Sequence, residues 1–279
     1  MNRFVESQGT FEWSNRSAPR LISIASALLL IFSNEAYAKK AYRPDAGICG
    51  AAVSGDVRRV RAFLGKDRAL IHERDHGATV LHWAVRPGNI EVVKLLLDEG
   101  AEVDARASDG STPLHWAAFC GETEVVKLLL RQRASVEVTN NRGETPLWFA
   151  CSYNHKEELV RLLLDAGADA NTRNDGGTTA LQAACFSGEQ DIVRLLLDHG
   201  ANVNANGYRG ATALHWAVDG RQVDTVELLL KHGAQWDAKD DAGRTPIQRA
   251  QERAADESWW HRGRLRRITK ILEQYGARK

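Results

Sequence analysis

Apolar residues along most of this chain fall into two short groups that are separated by glycine and polar residues. In one clear example, the first group begins at Pro113 and ends before Gly121. The second group places Val125, Leu128 and Leu129 three or four residues apart. A threonine followed by proline is typical of a helix start, and glycine is typical of a helix end. Apolar residues three or four positions apart are typical of an amphipathic helix. The pattern therefore predicts a short helix, a turn and a second helix.

The same pattern returns along the chain with a period of 33 or 34 residues. The motif Thr-x-Leu/Ile begins at Thr79, Thr112, Thr145, Thr179, Thr212 and Thr245. Three consecutive leucines recur in a fixed phase, at 95–97, 128–130, 162–164, 195–197 and 228–230. One such helix pair cannot bury its apolar face alone, so the units are expected to stack on one another.

The segment Thr112-Pro113-Leu114-His115, together with the 33-residue period, resembles the ankyrin repeat family over residues 46–279. The resemblance implies an all-α solenoid of about seven helix-turn-helix units with short turn or hairpin arms. The predicted units are 46–78, 79–111, 112–144, 145–178, 179–211, 212–244 and 245–279. The fourth unit carries one extra residue near Asn154, and the last carries about ten between Ala250 and Ile271.

The first 38 residues have the pattern of a secretory signal peptide. Arg16 and Arg20 precede a twelve-residue apolar run at 21–32, and the small residues Ala36 and Ala38 follow it. Basic, apolar and small residues in this order predict cleavage after Ala38. An uncleaved signal or a short buried helix stays open. The chain is thus expected to resemble exported bacterial ankyrin proteins, periplasmic or secreted, with 39–45 as a short N-terminal segment.

Composition narrows the function class. The 279 residues include 37 Lys and Arg against 36 Asp and Glu, a balance of +1. This near-neutrality argues against a dedicated nucleic-acid-binding protein, which usually has a strong basic excess. No apolar run reaches the roughly 18 residues that cross a bilayer. The composition therefore predicts a mixed-charge, core-forming protein, and we expect it to be a monomer.

The four cysteines are predicted to be unpaired thiols, mostly buried. Cys151 and Cys185 share the repeat position of Ala118 in adjacent units. Neighbouring helices pack about 8–10 Å apart, which exceeds the roughly 7 Å Cα limit for a disulfide. Because export exposes thiols to an oxidising compartment, an oxidised pair stays an alternative.

Two histidine patterns suggest metal binding at first sight. The segment 72–76 spells the H-E-x-x-H motif of zinc proteases, but it falls in the turn-rich arm between units, whereas that chemistry needs a helix. His82, His115 and His215 share one repeat position, where the ankyrin resemblance implies a hydrogen bond between helix and turn. We therefore predict no enzyme, no metal site and no cofactor.

Aromatic residues also recur at one repeat position of the first helix. These residues are Trp83, Trp116, Phe149 and Trp216. A ligand-binding row of rings is one interpretation, but strict repeat spacing favours packing between units.

The ankyrin resemblance implies that a partner protein is held in a concave groove, by the turn tips and by the ends of the first helices. The corresponding residues of this sequence are Arg106, Asp109, Phe119, Arg142, Tyr153, Arg173, Phe186, Tyr208, Arg209 and Arg244. Aromatic residues beside arginines are typical of interface hot spots. The partner is therefore predicted to be a protein with an acidic, partly apolar patch. Scattered solvated side chains are the alternative interpretation.

The C-terminal unit offers an alternative function. Trp259 and Trp260 stand beside the basic run at 262–267, and basic residues around tryptophans can bind an anionic membrane surface. Closure of the solenoid end by these residues is the favoured interpretation. A membrane-surface adaptor is the alternative.

Overall fold

The computed structural model describes residues 47–256 and 259–277, with the backbone alone at 256 and 259–261. The predicted signal peptide, the segment at 39–45 and the side chains of Trp259 and Trp260 lie outside the described part.

Each unit contributes two antiparallel helices, as the sequence predicts. The first helices are α1 Gly47–Val53, α3 Val80–Val85, α5 Pro113–Cys120, α7 Pro146–Phe149, α9 Ala180–Ser187, α11 Ala213–Asp219 and α13 Pro246–Asp256. The second helices are α2 Val57–Lys66, α4 Ile90–Asp98, α6 Thr123–Arg131, α8 Glu157–Asp165, α10 Gln190–Asp198, α12 Val223–Lys231 and α14 Trp259–Gly276. The all-α solenoid is thereby confirmed.

The helices pack in two layers, first helices against first helices and second against second. Each central unit places one leucine of its first helix in the core with at most 1% exposure: Leu81, Leu114, Leu147, Leu181 and Leu214. Burying such a side chain contributes about 1.5–3 kcal/mol, and the burial is complete only when the neighbouring unit is present.

Histidines at one repeat position connect the first helix of a unit to the turn that leads into the next unit. The Thr112 backbone N–H donates to His115 Nδ1 at 3.0 Å, so the ring is protonated at Nε2, which lies 3.0 Å from the carbonyl oxygen of Glu144, the last residue of the same unit. His82 and His215 make the same contacts. Burial lowers the pKa of His82 and His115 to about 4, so both are neutral. The predicted structural role of these histidines is confirmed.

Short arms project from the helix layers. In the first arm, β1 Arg74–Asp75 pairs antiparallel with β2 Ala78–Thr79. Later arms form turns whose tips bond one to the next, as when the Asn141 backbone N–H donates to the Asp109 carbonyl oxygen at 2.9 Å. The H-E-x-x-H segment lies in this first arm. Its histidines therefore do not share a helical face, and His76 instead contacts Asp75 at 2.7 Å.

Two units depart from the regular length, at the places that the sequence predicts. In the fourth unit the extra residue forms a turn of π-helix at Ala150–Asn154. In the last unit the extra residues lengthen α13 and α14, and the buried side chains of Leu265, Ile268 and Leu272 attach α14 to the second layer.

The aromatic position of the first helix is used mainly for packing between units. Phe149 and Trp216 are 4% and 8% exposed, and Trp83 meets Trp116 edge to face with ring centroids 5.6 Å apart. This arrangement confirms the packing interpretation.

The four cysteines are free thiols in this structure. Cys49, Cys151 and Cys185 are buried and Cys120 is half-buried. Burial raises the pKa of Cys49 to about 12 and that of Cys120 to about 11, which keeps both thiols protonated. The prediction of unpaired, mostly buried thiols is confirmed.

Among the described residues, no helix is long and apolar enough to span a membrane. The same part of the chain holds no group of three or more His, Cys, Asp or Glu side chains placed to bind a metal ion.

Candidate functional site

A cluster of four aromatic rings lies where the first helices of the third and fourth units end. Phe119 meets Tyr153 with centroids 5.0 Å apart and Phe149 at 6.1 Å. Trp148 meets Phe149 at 5.7 Å and Tyr153 at 5.9 Å. Phe149 and Trp148 are buried, whereas Phe119 and Tyr153 are half-buried and reach the surface. We call these four residues the ring cluster.

The π-helix turn places Tyr153 in this cluster. A π-helix accommodates one extra residue by bonding i to i+5, and here the His155 backbone N–H donates to the Ala150 carbonyl oxygen at 3.2 Å. His155 then takes a left-handed conformation with φ 57°. In four other units the corresponding residue is a glycine with positive φ: Gly55, Gly88, Gly121 and Gly188.

The irregular turn leaves several polar atoms without partners. Buried atoms that make no hydrogen bond in the described part of the chain include Trp148 Nε1, Ser152 Oγ, Asn154 Oδ1 and His155 Nδ1. Trp148 stands where three other units have the bonded histidine and is only 6% exposed. Each such atom costs about 1–3 kcal/mol when it is left unpaired. Among the described residues, four such atoms lie in the fourth unit, more than in any other unit.

A second pair of rings lies two units further along the first-helix layer from Phe119. Phe186 is 48% exposed and meets Trp216 edge to face, with centroids 5.9 Å apart. No ring contact among the described residues joins this pair to the ring cluster. The structure therefore brings together Phe119 and Tyr153 of the predicted residues, and leaves Phe186 as a separate exposed ring.

Several of the predicted tip residues hold the arms together. Arg106 donates to the Gly110 carbonyl oxygen at 3.2 Å and to that of Thr139, in the next tip, at 2.9 Å. Arg173 Nε donates to the Gly177 carbonyl oxygen at 3.0 Å. The Asp109 carboxylate accepts hydrogen bonds from the backbone and hydroxyl of Ser111. These side chains have a structural use that the sequence did not indicate.

Arg244 is likewise engaged, because it forms ion pairs with Asp240 at 3.0 Å and Glu252 at 3.5 Å. In contrast, the Arg142 side chain makes no hydrogen bond or ion pair with any described residue. Arg209 lies over the Tyr208 ring, 5.2 Å from its centroid, and is exposed. Arg142 and Arg209 are thus the cations of the predicted set whose guanidinium groups make no hydrogen bond to the described part of the chain.

Two titratable groups in and beside the ring cluster have raised pKa values. Burial, together with the nearby Glu144 carboxylate, raises the pKa of Tyr153 to about 12. Burial also raises the pKa of Glu144, whose carboxylate accepts a hydrogen bond from Asn140 at 2.8 Å. The phenol is therefore neutral and the carboxylate is enclosed. The surface offers rings, a hydroxyl and the nearby Arg142 cation, a set that suits binding.

Sequence reasoning missed three features of this region. It placed Phe149 in packing alone and did not single out Trp148, yet both support the exposed rings. It located the extra residue of the fourth unit but not the π-helix that the residue forms. One signal in the sequence could have located the site: the extra residue of the fourth unit and the aromatic residue Tyr153 both lie at the end of the same first helix.

Comparisons with known proteins agree with the repeat architecture. A family model described as ankyrin repeats (3 copies) matches residues 48–140 and 128–207, and one described as ankyrin repeats (many copies) matches 196–250. Human ankyrin repeat domain-containing protein 39 is 38% identical over 60 residues, which are 22% of this chain. The match spans 33% of the length of that human protein.

Proposed function

This chain belongs to the ankyrin-repeat family, whose repeats serve as protein–protein interaction modules, and we propose that it holds one folded protein partner on the concave face lined by its first helices. The centre of the contact is the ring cluster with the nearby Arg142. Phe186 and Arg209, both in the fifth unit, provide a second anchor and a second cation.

The observation that carries this proposal is the irregular fourth unit. A regular 33-residue unit would place glycine at position 155 and a bonded histidine at position 148, as the third unit does at Gly121 and His115. The chain instead has a left-handed His155, an unbonded Trp148 and a half-buried Tyr153. The left-handed His155 and the unpaired Trp148 indole lower the folding stability of this unit at the place where the rings meet. Locally unfavourable residues of this kind are expected at functional sites.

The chemistry of the surface describes the partner. Exposed aromatic edges favour an apolar or aromatic side chain, and guanidinium groups favour carboxylates. A partner with an acidic, partly apolar patch fits both. Because the rings are already packed against one another, little side-chain entropy is lost on binding.

Export of the protein is a further part of this proposal. It rests on the arginines, the apolar run and the small residues of 1–38 alone. The partner would then be an exported protein, such as an envelope enzyme that this chain supports or a toxin that it neutralises. The mass of the protein recovered from cells tests whether the signal peptide is removed, because cleavage after Ala38 leaves Lys39 as the first residue.

A membrane-surface role for the C-terminal unit is less well supported. Three apolar residues of α14, Leu265, Ile268 and Leu272, are buried in the solenoid. An interfacial helix must offer apolar side chains to the lipid, so these three do not serve, and the role depends on Trp259 and Trp260, whose side chains lie outside the described part.

Affinity capture with the full chain tests the main proposal. The variant Tyr153→Ala with Phe186→Ala removes one ring from each group, and Ile90→Ala serves as the control because Ile90 is 42% exposed on a second helix. We expect one protein to be retained by the natural chain and by Ile90→Ala, and lost from the double variant. Equal recovery on all three proteins would show that this face is not the binding site.

A further inference from the structure

A cavity of about 320 Å³ lies between the start of α12 and the middle of α14. Arg221, Arg264 and Arg267 are among the residues that line it, and Asp224 is the single acidic residue among them. Known ligand pockets range from about 300 to 1,000 Å³, so this cavity has room for a small group. Its lining predicts that the group is an anion.

The two arginines of α14 line one side of the cavity. Arg264 and Arg267 are three residues apart, so they lie on the same face of the helix. Both side chains are exposed, whereas Leu265 and Ile268 between and beside them are fully buried. The buried residues fix the helix, and the helix fixes the positions from which the two side chains extend.

The opposite wall is the turn that precedes α12. Arg221 takes a left-handed conformation there, with φ 60°, at the position where other units have Gly88, Gly121 and Gly188. The side chain of Gln222, the N-cap residue, is engaged elsewhere, because its amide donates to the Phe186 and Ser187 carbonyl oxygens. No side chain caps the first turn of α12, and its residues Val223, Asp224 and Thr225 line the cavity.

We propose that this cavity binds a phosphate monoester, carried either by a soluble molecule or by a lipid headgroup. A phosphoryl group has three oxygens and up to two negative charges. Guanidinium groups match this geometry with paired hydrogen bonds. Arginines on different sides of the cavity can each bond a different phosphoryl oxygen, whereas a ligand with a carboxylate has only two oxygens to offer them. The inference does not depend on the protein partner of the concave face.

The test uses the full chain and phenyl phosphate in calorimetric titrations at constant ionic strength. The cavity variant is Arg264→Gln with Arg267→Gln. The matched control is Arg266→Gln with Lys270→Gln, which removes the same charge from exposed residues of α14 outside the cavity. We expect saturable binding by the natural chain, a loss of about tenfold or more in the cavity variant, and a change within about twofold in the control.

Equal weakening in the two variants would show general attraction to a basic helix, and absence of saturable binding by the natural chain would show no site; either result overturns the proposal. All four substituted side chains are exposed, so the thermal unfolding curves should coincide and exclude misfolding.

Sedimentation with vesicles separates the two sources of the phosphate. The vesicles contain phosphatidylcholine with either phosphatidic acid, a monoester, or phosphatidylglycerol, a diester. Binding to the first alone, displaced by phenyl phosphate and lost in the cavity variant, identifies a lipid headgroup. Binding of phenyl phosphate without vesicle binding identifies a soluble ligand.

Discussion

A buried ion-pair network connects the last unit to the sixth, and its loss should detach the end of the solenoid. Arg249, on α13, donates to Asp240 Oδ2 at 2.7 and 2.9 Å and to Asp219 Oδ2 at 2.7 Å. Arg253 reaches Asp219 Oδ1 at 2.8 Å. The side chain of Asp240 is 1% exposed and that of Arg249 is 10% exposed.

The perturbation is Arg249→Met, which keeps the apolar stem and removes the charge. Asp240 would keep its ion pair with Arg244, and Asp219 would keep its ion pair with Arg253, but each would lose its most buried partner. Removing one member of a buried pair typically costs about 3–5 kcal/mol when the remaining charge has no compensation, so we expect the lower end of that range, about 3 kcal/mol, here. Arg253→Met is the matched control on the same helix. Arg253 is 37% exposed, so its ion pair should contribute only about 0–1 kcal/mol.

The network also has a defined pH dependence. Burial alone would raise the pKa of Asp240, but hydrogen bonds from the Arg244 backbone and from the Arg249 and Arg244 guanidinium groups outweigh it and hold the pKa below its usual range. Stability from a lowered carboxyl pKa is present above the unfolded value of about 4 and is lost as the pH falls through the folded value. The natural chain should therefore lose more stability below pH 4 than Arg249→Met loses.

Hydrogen exchange measured by mass spectrometry is the appropriate assay, because repeat units can open locally. Amides of 246–276 should exchange at least about a hundredfold faster in Arg249→Met, while those of α5 and α6 stay unchanged. A free energy of opening lowered by less than about 1 kcal/mol, or a change equal to that of Arg253→Met, would refute the assignment of the network as the main connection.

Three further predictions concern single positions. His115→Gln should change the stability at neutral pH little, because Gln182 makes the same hydrogen bonds at this position of its own unit. The folded pKa of His115 is lowered to about 4, so the natural chain should lose stability as the pH falls from 6.5 to 4. The variant should lose less over the same range, as measured by urea unfolding. His155→Gly removes a side chain from a left-handed residue and should raise the unfolding free energy by about 1 kcal/mol in the same assay, and a loss would contradict the strain argument. The native thiols should react slowly with a disulfide reagent at pH 8, with the half-buried Cys120 first, and rapid reaction of Cys151 would contradict its burial.

Most of the fold could be predicted because the same physical signal is repeated. A helix start at Thr112-Pro113, a helix end at Gly121 and a leucine stripe recur in register, so an error in one unit is corrected by the others. The structure has these elements at the predicted places, and it also has the histidine bonds and the free thiols. A period of this kind determines which helices are neighbours, and neighbouring helices determine burial.

The surface was less predictable, because the sequence did not separate the arginines that bond the arms from those that stay exposed. Arg106 and Arg173 share a repeat position and both donate to the carbonyl oxygen four residues later, and Arg142 was an equal candidate at another tip position. In the structure Arg106 bonds two tips, whereas Arg142 makes no such bond. The difference depends on which carbonyl oxygens lie within reach. The π-helix was also beyond prediction, because one inserted residue can equally lengthen a loop or widen a helix.

Both candidate sites adjoin the units that replace a left-handed glycine. The turn position between first and second helix is glycine at Gly55, Gly88, Gly121 and Gly188, where glycine adopts positive φ without strain. His155 and Arg221 stand there instead, with φ of 57° and 60°. His155 ends the π-helix that carries Tyr153, and Arg221 lines the cavity beside α14. The regular units of a repeat protein maintain the stacking of the helices. A unit that replaces the left-handed glycine of its turn can therefore place a new side chain on the surface. The ring cluster and the arginine cavity both follow from that one physical argument.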